Sequence, residues 1–279
     1  MDNRYSLGIY EKAMPNSLSI DEKLELAKIT GFDRLEISID ETDEKLERLY
    51  DDSGREISKY VKKINIPIKT MCLSGHRKYP LGSHDPEIRK KSLEILNLAL
   101  EFSDRVGIRI IQLAGYDVYY EDGDADTVNY FQENLNIITE RAAKYGIILA
   151  FETMETEFMD TIAKSMNYVN KIGSPYLGIY PDIGNLMNAY VKYDIEPISD
   201  LINGEGKIFA AHLKETKPGI YRNMDFGTGH TDYDLFIKEL IRQKVRIFTG
   251  EFWHLGEEDY TDKIKKASIF LRDKIEKWL

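Results

Sequence analysis

Cysteine is almost missing from this chain: one residue, Cys72, stands in 279, so no internal disulfide can form. Its setting, IKTMCL, reads as a buried small hydrophobe. Apolar runs of membrane-spanning length are also missing. The opening MDNRYSLGIY lacks the apolar core of a signal peptide, so a cytoplasmic protein with no membrane partner is expected. Basic charge is outnumbered: 38 Lys and Arg face 48 Asp and Glu, for a net charge of -10. Such a surface repels phosphodiester backbones and anionic lipid. No nucleic-acid partner is therefore expected, and a small anionic substrate would need a local basic pocket. No low-complexity segment or Pro/Ser-rich linker interrupts the sequence. With 42% hydrophobic residues to fill a core, residues 1–279 read as one domain.

What is present is a repeat of strand and helix signals. Strand-like segments run Ser6–Tyr10, Asp33–Ile39, Ile68–Leu73, Ile108–Ala114, Ile147–Glu152, Leu177–Asp182, Ile208–Leu213 and Ile247–Phe252. Helical stretches lie between them. Ser19 with Glu22, and Ser53 with Glu56, have capping-box spacing, and Asp85 before Pro86 sets a cap ahead of a first-turn proline. Gly31, Gly107, Gly146 and Gly173 follow helical patterns and precede strands, where a left-handed residue ends a helix without a Cβ clash. Alternating βα units repeated eight times predict an α/β fold: a closed (β/α)8 TIM barrel of parallel strands. Its functional groups belong on the loops at the C-terminal ends of the strands.

Four strand segments in the second half end on residues able to bind a divalent metal. IILAFE ends at Glu152, LGIYPD at Asp182, IFAAH at His212 and FTGE at Glu251, with spacings of thirty, thirty and thirty-nine residues. One strand, one helix and two loops take about that length, so the four converge at one end of the sheet. Three carboxylates and one imidazole suit a catalytic metal site rather than a structural zinc site, which would use Cys and His. Mn²⁺ fits three oxygen donors and one nitrogen well; Zn²⁺, Co²⁺ and Fe²⁺ are compatible.

The segments YSLGIYEKAMP (Tyr5–Pro15), MCLSGHRKYPLGS (Met71–Ser83), IQLAGYDVYY (Ile111–Tyr120), YPDIGNL (Tyr180–Leu186) and HLKETKPGIYRN (His212–Asn223) together make the chain resemble a known family. It is similar to the xylose-isomerase-like barrels and, within them, to the L-ribulose-5-phosphate 3-epimerases, also called L-xylulose-5-phosphate 3-epimerases. The resemblance implies a metal-dependent epimerase of pentulose 5-phosphates in pentose phosphate metabolism and L-ascorbate utilisation. It carries the metal ligands to Glu152, Asp182, His212 and Glu251, and it implies a homodimer or larger homo-oligomer. Related epimerases of free ketohexoses carry a histidine three residues after the aspartate. Asn185 stands there instead, which favours the pentulose phosphate branch.

Epimerisation at carbon 3 removes a proton beside the ketone and returns one to the opposite face, through an enediolate. Two carboxylates flanking the substrate can do this, and Glu152 and Glu251 lie three strands apart in a ring of eight. They are the expected acid/base pair, with the metal polarising the carbonyl. For the phosphate, the loop after strand seven offers Lys217, Arg222 and Asn223, with Lys214 read as a barrel-rim salt-bridge partner. The loop after strand three offers His76 and Arg77, and Glu155 is a candidate for a sugar hydroxyl. Tyr116, Tyr119, Tyr120 and Trp253 read chiefly as packing, and His84, His230 and His254 carry no assigned chemistry.

Other readings use the same residues. An aldose–ketose or hydroxypyruvate-type isomerase would move the proton between carbons 1 and 2. A phosphodiesterase of the endonuclease IV kind needs a histidine-rich multi-metal centre and a cationic face, which five histidines and net negative charge disfavour. A non-catalytic sugar phosphate binder would lose one acid of the pair, and both are present.

Overall fold

The computed structural model describes residues 4–50 and 52–279. Among these, eight strands form one parallel sheet: β1 (Ser6–Tyr10), β2 (Arg34–Ile39), β3 (Ile68–Leu73), β4 (Ile110–Ala114), β5 (Ile148–Glu152), β6 (Leu177–Ile179), β7 (Ala211–Leu213) and β8 (Ile247–Gly250). Their order is β6-β5-β4-β3-β2-β1-β8-β7. Parallel bridges Ile179–Ile208 and Asp182–His212 join the two ends, so the sheet closes into a TIM barrel. β6 and β7 are shorter than their apolar runs predict. β6 stops at Ile179, ahead of Asp182, and β7 begins only at Ala211, so the two meet through those isolated bridges, while His212 sits within β7.

The outer layer consists of α1 (Ile20–Ile29), α2 (Asp43–Glu47), α3 (Ser53–Ile64), α4 (Pro86–Val106), α5 (Ala125–Tyr145), α6 (Ile162–Ile172), α7 (Ile183–Tyr193), α8 (Pro197–Asn203), α9 (Tyr233–Arg242) and α10 (Tyr260–Glu276). α1 starts with the expected capping box, Ser19 N donating to Glu22 at 2.8 Å. α4 starts on Asp85, which accepts from Glu87 N at 2.8 Å. The cap expected at Ser53 is corrected: Ser53 is already helical, Asp52 holds the cap position, and the Ser53 hydroxyl bonds back to Arg48 O. α4, α5 and α6 end on Gly107, Gly146 and Gly173, all left-handed.

The barrel interior beneath the site is polar. Arg34 and Glu36, two residues apart on β2, point the same way and are 1% and 0% exposed. Arg34 donates to Thr70 Oγ1 at 2.7 Å and to Phe248 O and Thr249 Oγ1 at 2.8 Å. It crosses the barrel over Gly8, where an added Cβ would lie 2.6 Å from its Nη1. A second buried ionic group sits just after β1. Glu11 accepts from Lys23, Lys45, Arg48 and the Ser38 amide. Burial pushes its carboxyl up, but the three cations outweigh it and hold it far below the usual range.

Candidate active site

Glu152, Asp182, His212 and Glu251 come from the C-terminal ends of β5, β6, β7 and β8. They offer ligand atoms within 4.8 Å of one another, and all four are buried. Asp182 does two jobs. Its Oδ1 caps α7 by accepting from Asn185 N at 2.9 Å, which leaves Oδ2 for the cluster. Asn185 faces away, donating to Thr153 O at 2.8 Å.

Lys214 reaches into the same cluster. Its Nζ lies 2.6 Å from Asp182 Oδ2 and 3.5 Å from Glu251 Oε2, and His212 Nδ1 lies 3.0 Å from that Glu251 oxygen and 3.6 Å from Glu152 Oε1. Despite these short distances, among the described residues neither Asp182 Oδ2 nor Glu251 Oε2 accepts an aligned hydrogen bond. Buried carboxylate oxygens left without donors are costly. These two, with a Glu152 oxygen and one imidazole nitrogen within 4.8 Å, form a donor set that a divalent cation satisfies. The residues therefore fit such an ion.

The same crowding spreads the carboxyl affinities for protons. Burial raises Glu152, and the nearby Glu251 charge adds to it. Burial also pushes Glu251 up, but Lys214 and His212 outweigh it and hold it well below the usual range. Burial lifts Asp182 well above its usual range against the pull of Lys214. His212 is pushed down by burial and pulled further up by Glu36 and Glu251.

A cavity of about 150 Å³ opens over this cluster, lined by Tyr10, Lys12, Cys72, Arg77, Glu152, Glu155, Lys214, Arg222, Glu251 and Trp253, among others. Of the expected substrate contacts, Arg77, Glu155 and Arg222 lie on it, and Arg222 pairs with Glu155 at 2.7 Å. Lys217 and Asn223 are exposed further along the same loop. The His76 ring turns inward, its Nε2–H donating to Ser92 O at 3.2 Å; burial lowers it to about 4. Cys72 is buried as expected, but it lines the cavity, and burial pushes its thiol up to about 12.

Three neighbours of the cluster escaped sequence reading, Glu36, Lys12 and Lys214 as a cluster member, whereas Trp253, which could wall the pocket or pack, does line the cavity. Lys12 pairs with Asp40 at 2.7 Å. Lys214 sits 5.9 Å from the Trp253 ring centre. For Glu36 a signal existed: a charge at Arg34 and again at Glu36 in a strand otherwise written in Leu and Ile puts two ions on one face of β2.

The structure is thus a closed parallel barrel with a buried carboxylate–imidazole cluster, a candidate metal site, at its C-terminal mouth. The model of the xylose isomerase-like TIM barrel family matches residues 24–274. The L-ribulose-5-phosphate 3-epimerase UlaE of Shigella boydii serotype 18 is 38% identical over 285 residues, covering 99% of this chain and 97% of that protein. Two solved structures share the fold. D-psicose 3-epimerase with D-tagatose, from Clostridium cellulolyticum H10, superposes with a TM-score of 0.79 at 16% identity, covering 97% of this chain and 99% of that one. An IOLI protein with a bound zinc atom gives 0.77 at 18% identity, covering 98% and 99%. The chain belongs to the xylose isomerase-like TIM barrels and, among them, to the UlaE-type L-ribulose-5-phosphate 3-epimerases. It is an epimerase, an enzyme of the isomerase class. Among the described residues no helix is long and apolar enough to cross a membrane.

Proposed function

We propose that this enzyme interconverts L-xylulose 5-phosphate and L-ribulose 5-phosphate by proton transfer at carbon 3. The observation that carries the reading is that Glu152 and Glu251 both line one cavity and both reach His212 Nδ1, at 3.6 and 3.0 Å. Glu152, Asp182, His212 and Glu251 would hold a divalent ion, Mn²⁺ or Zn²⁺ before Co²⁺ or Fe²⁺. When bound, such an ion supplies a Lewis acid that polarises the substrate carbonyl.

The chain's own groups do the rest. One glutamate takes the carbon-3 proton from one face, and the other returns a proton to the opposite face. Their environments already differ, Glu152 raised and Glu251 lowered, which suits two carboxyls with opposite tasks. Lys214, buried beside them, offers a fixed positive charge to the enediolate oxygens. Tyr10 and Trp253 wall the pocket and exclude water.

Phosphate recognition falls to Arg77. Lys12, Lys214 and Arg222 each have a carboxylate partner. Among the described residues Arg77 has none within ion-pair reach, its Nε is buried without a hydrogen-bond partner, and its guanidinium lies 4.9 Å from the Tyr119 ring centre. His76 pins the turn that presents it. Arg222 with Glu155 forms the facing wall, where Glu155 meets a sugar hydroxyl, and Lys217 and Asn223 belong to the outer rim. A core cluster drawn from β1 through α10 supports one domain over residues 1–279.

Arg77→Met tests this reading. Loss of a charged hydrogen bond to phosphate costs about 1.5–3 kcal/mol, so KM for the pentulose phosphate should rise by about 10- to 100-fold, with activity on the unphosphorylated pentulose unchanged. Equal loss on both sugars would remove Arg77 from phosphate recognition.

A further inference from the structure

The polar layer inside the barrel converges on His212. Its Nε2 lies 2.5 Å from Glu36 Oε1. The other oxygen of Glu36 accepts from Tyr180 OH at 2.6 Å and from Thr249 Oγ1 at 3.3 Å. Thr249 in turn accepts from Arg34. Every member is buried, and Glu36 and His212 are both 0% exposed. A carboxylate can only accept, so the hydrogen between Glu36 and His212 belongs to Nε2. Nδ1 then points at Glu152 and Glu251. The Gln112 amide lies 3.1 Å from Nδ1 and 3.3 Å from Nε2 and so favours neither nitrogen. The ring cannot turn freely, because Tyr180 packs edge-on with centroids 4.9 Å apart and Tyr10 lies at 6.0 Å.

We infer that Glu36 is a positioning residue: it fixes His212 as the Nε2–H tautomer and so presents Nδ1, and no other ring atom, to the metal. This rests on the metal site proposed above. Glu36 touches no substrate and lines no part of the cavity; it acts through the imidazole. A carboxylate behind a ligating histidine sets the ring's orientation and raises its basicity, and losing it costs about 10- to 100-fold in metal affinity. Arg34, Tyr180 and Thr249 hold the Glu36 carboxylate in a single position, which is why β2 carries two ions into a barrel interior.

The test uses the zinc ion alone as the probe. In the wild-type protein loaded with Zn²⁺ and labelled with ¹⁵N at histidine, the His212 imidazole should show a protonated Nε2 and a Nδ1 shifted by the metal. Zinc on Nε2 would overturn the inference, whether or not any variant folds. Glu36→Gln keeps the side-chain shape and removes the charge. It should weaken Zn²⁺ binding by about 10- to 100-fold in calorimetry, with Glu36→Asp recovering part of the loss. A folded Glu36→Gln protein that binds Zn²⁺ as the wild type does would also overturn it. Failure of the wild type to bind Zn²⁺ would instead remove the metal site itself, a distinct outcome.

Discussion

Lys214 shows how far a single side chain can shift the chemistry of this site. Its ammonium is the cation beside Asp182 Oδ2 and Glu251 Oε2, and removing one partner of a buried ion pair costs about 3–5 kcal/mol. Lys214→Met should lower unfolding stability by about that much in chelator. Much of the loss should return on adding Mn²⁺, since the ion then offsets the same oxygens. Urea titration with and without metal reads the difference; an equal loss in both would mean Lys214 matters for packing alone. His76 supplies a pH prediction. Its folded affinity for protons is lowered to about 4 from an ordinary 6.5, so the unfolded chain binds more protons between those values. Stability is full above about 6.5 and falls as pH drops toward 4, by up to about 3 kcal/mol. Urea titrations at stepped pH should show that fall, and His76→Asn should flatten it. The four cluster residues were legible in the sequence because each ends an apolar run. Lys214 and Glu36 were not, because the partners that give them meaning come from other strands.

At the scale of elements, the turn after β1 depends on Glu11. One carboxylate there neutralises part of the charge of Lys23, Lys45 and Arg48, from α1, α2 and the residue after α2. Glu11→Gln leaves those cations packed together and should destabilise the fold by about 3–5 kcal/mol, measured as a shift in the urea midpoint. A shift below about 1 kcal/mol would show that water already screens the group. Strand starts and helix stops were well marked by glycine and by apolar runs. The end of β6 and the start of β7 were not, because the backbone leaves the ladder after Ile179 to place Asp182 and regains it only at Ala211, and apolar content alone does not encode that departure. Ser53 misled for a related reason: the spacing of a cap was present, but its hydroxyl found Arg48 O first.

For the whole molecule, eight βα units bring Glu152 and Glu251, about a hundred positions apart in the sequence, to the same nitrogen of one imidazole. The surface carries net negative charge, while Lys12, Arg77, Lys214 and Arg222 gather at the cavity. The cavity thus gathers positive charge beside the acids of the cluster, as the proposed anionic substrate requires. The repeat made the barrel readable from sequence. The cavity's cations were only partly so, since a loop's sequence does not say which charge is already paired. The central claim is proton transfer at carbon 3, and proton NMR of the enzyme with L-xylulose 5-phosphate in deuterated water, with Mn²⁺ and in parallel with chelator, tests it most directly. Deuterium should enter at carbon 3 only when metal is present, as L-ribulose 5-phosphate appears. Deuterium at carbon 1, or no exchange at either carbon with metal present, would contradict it.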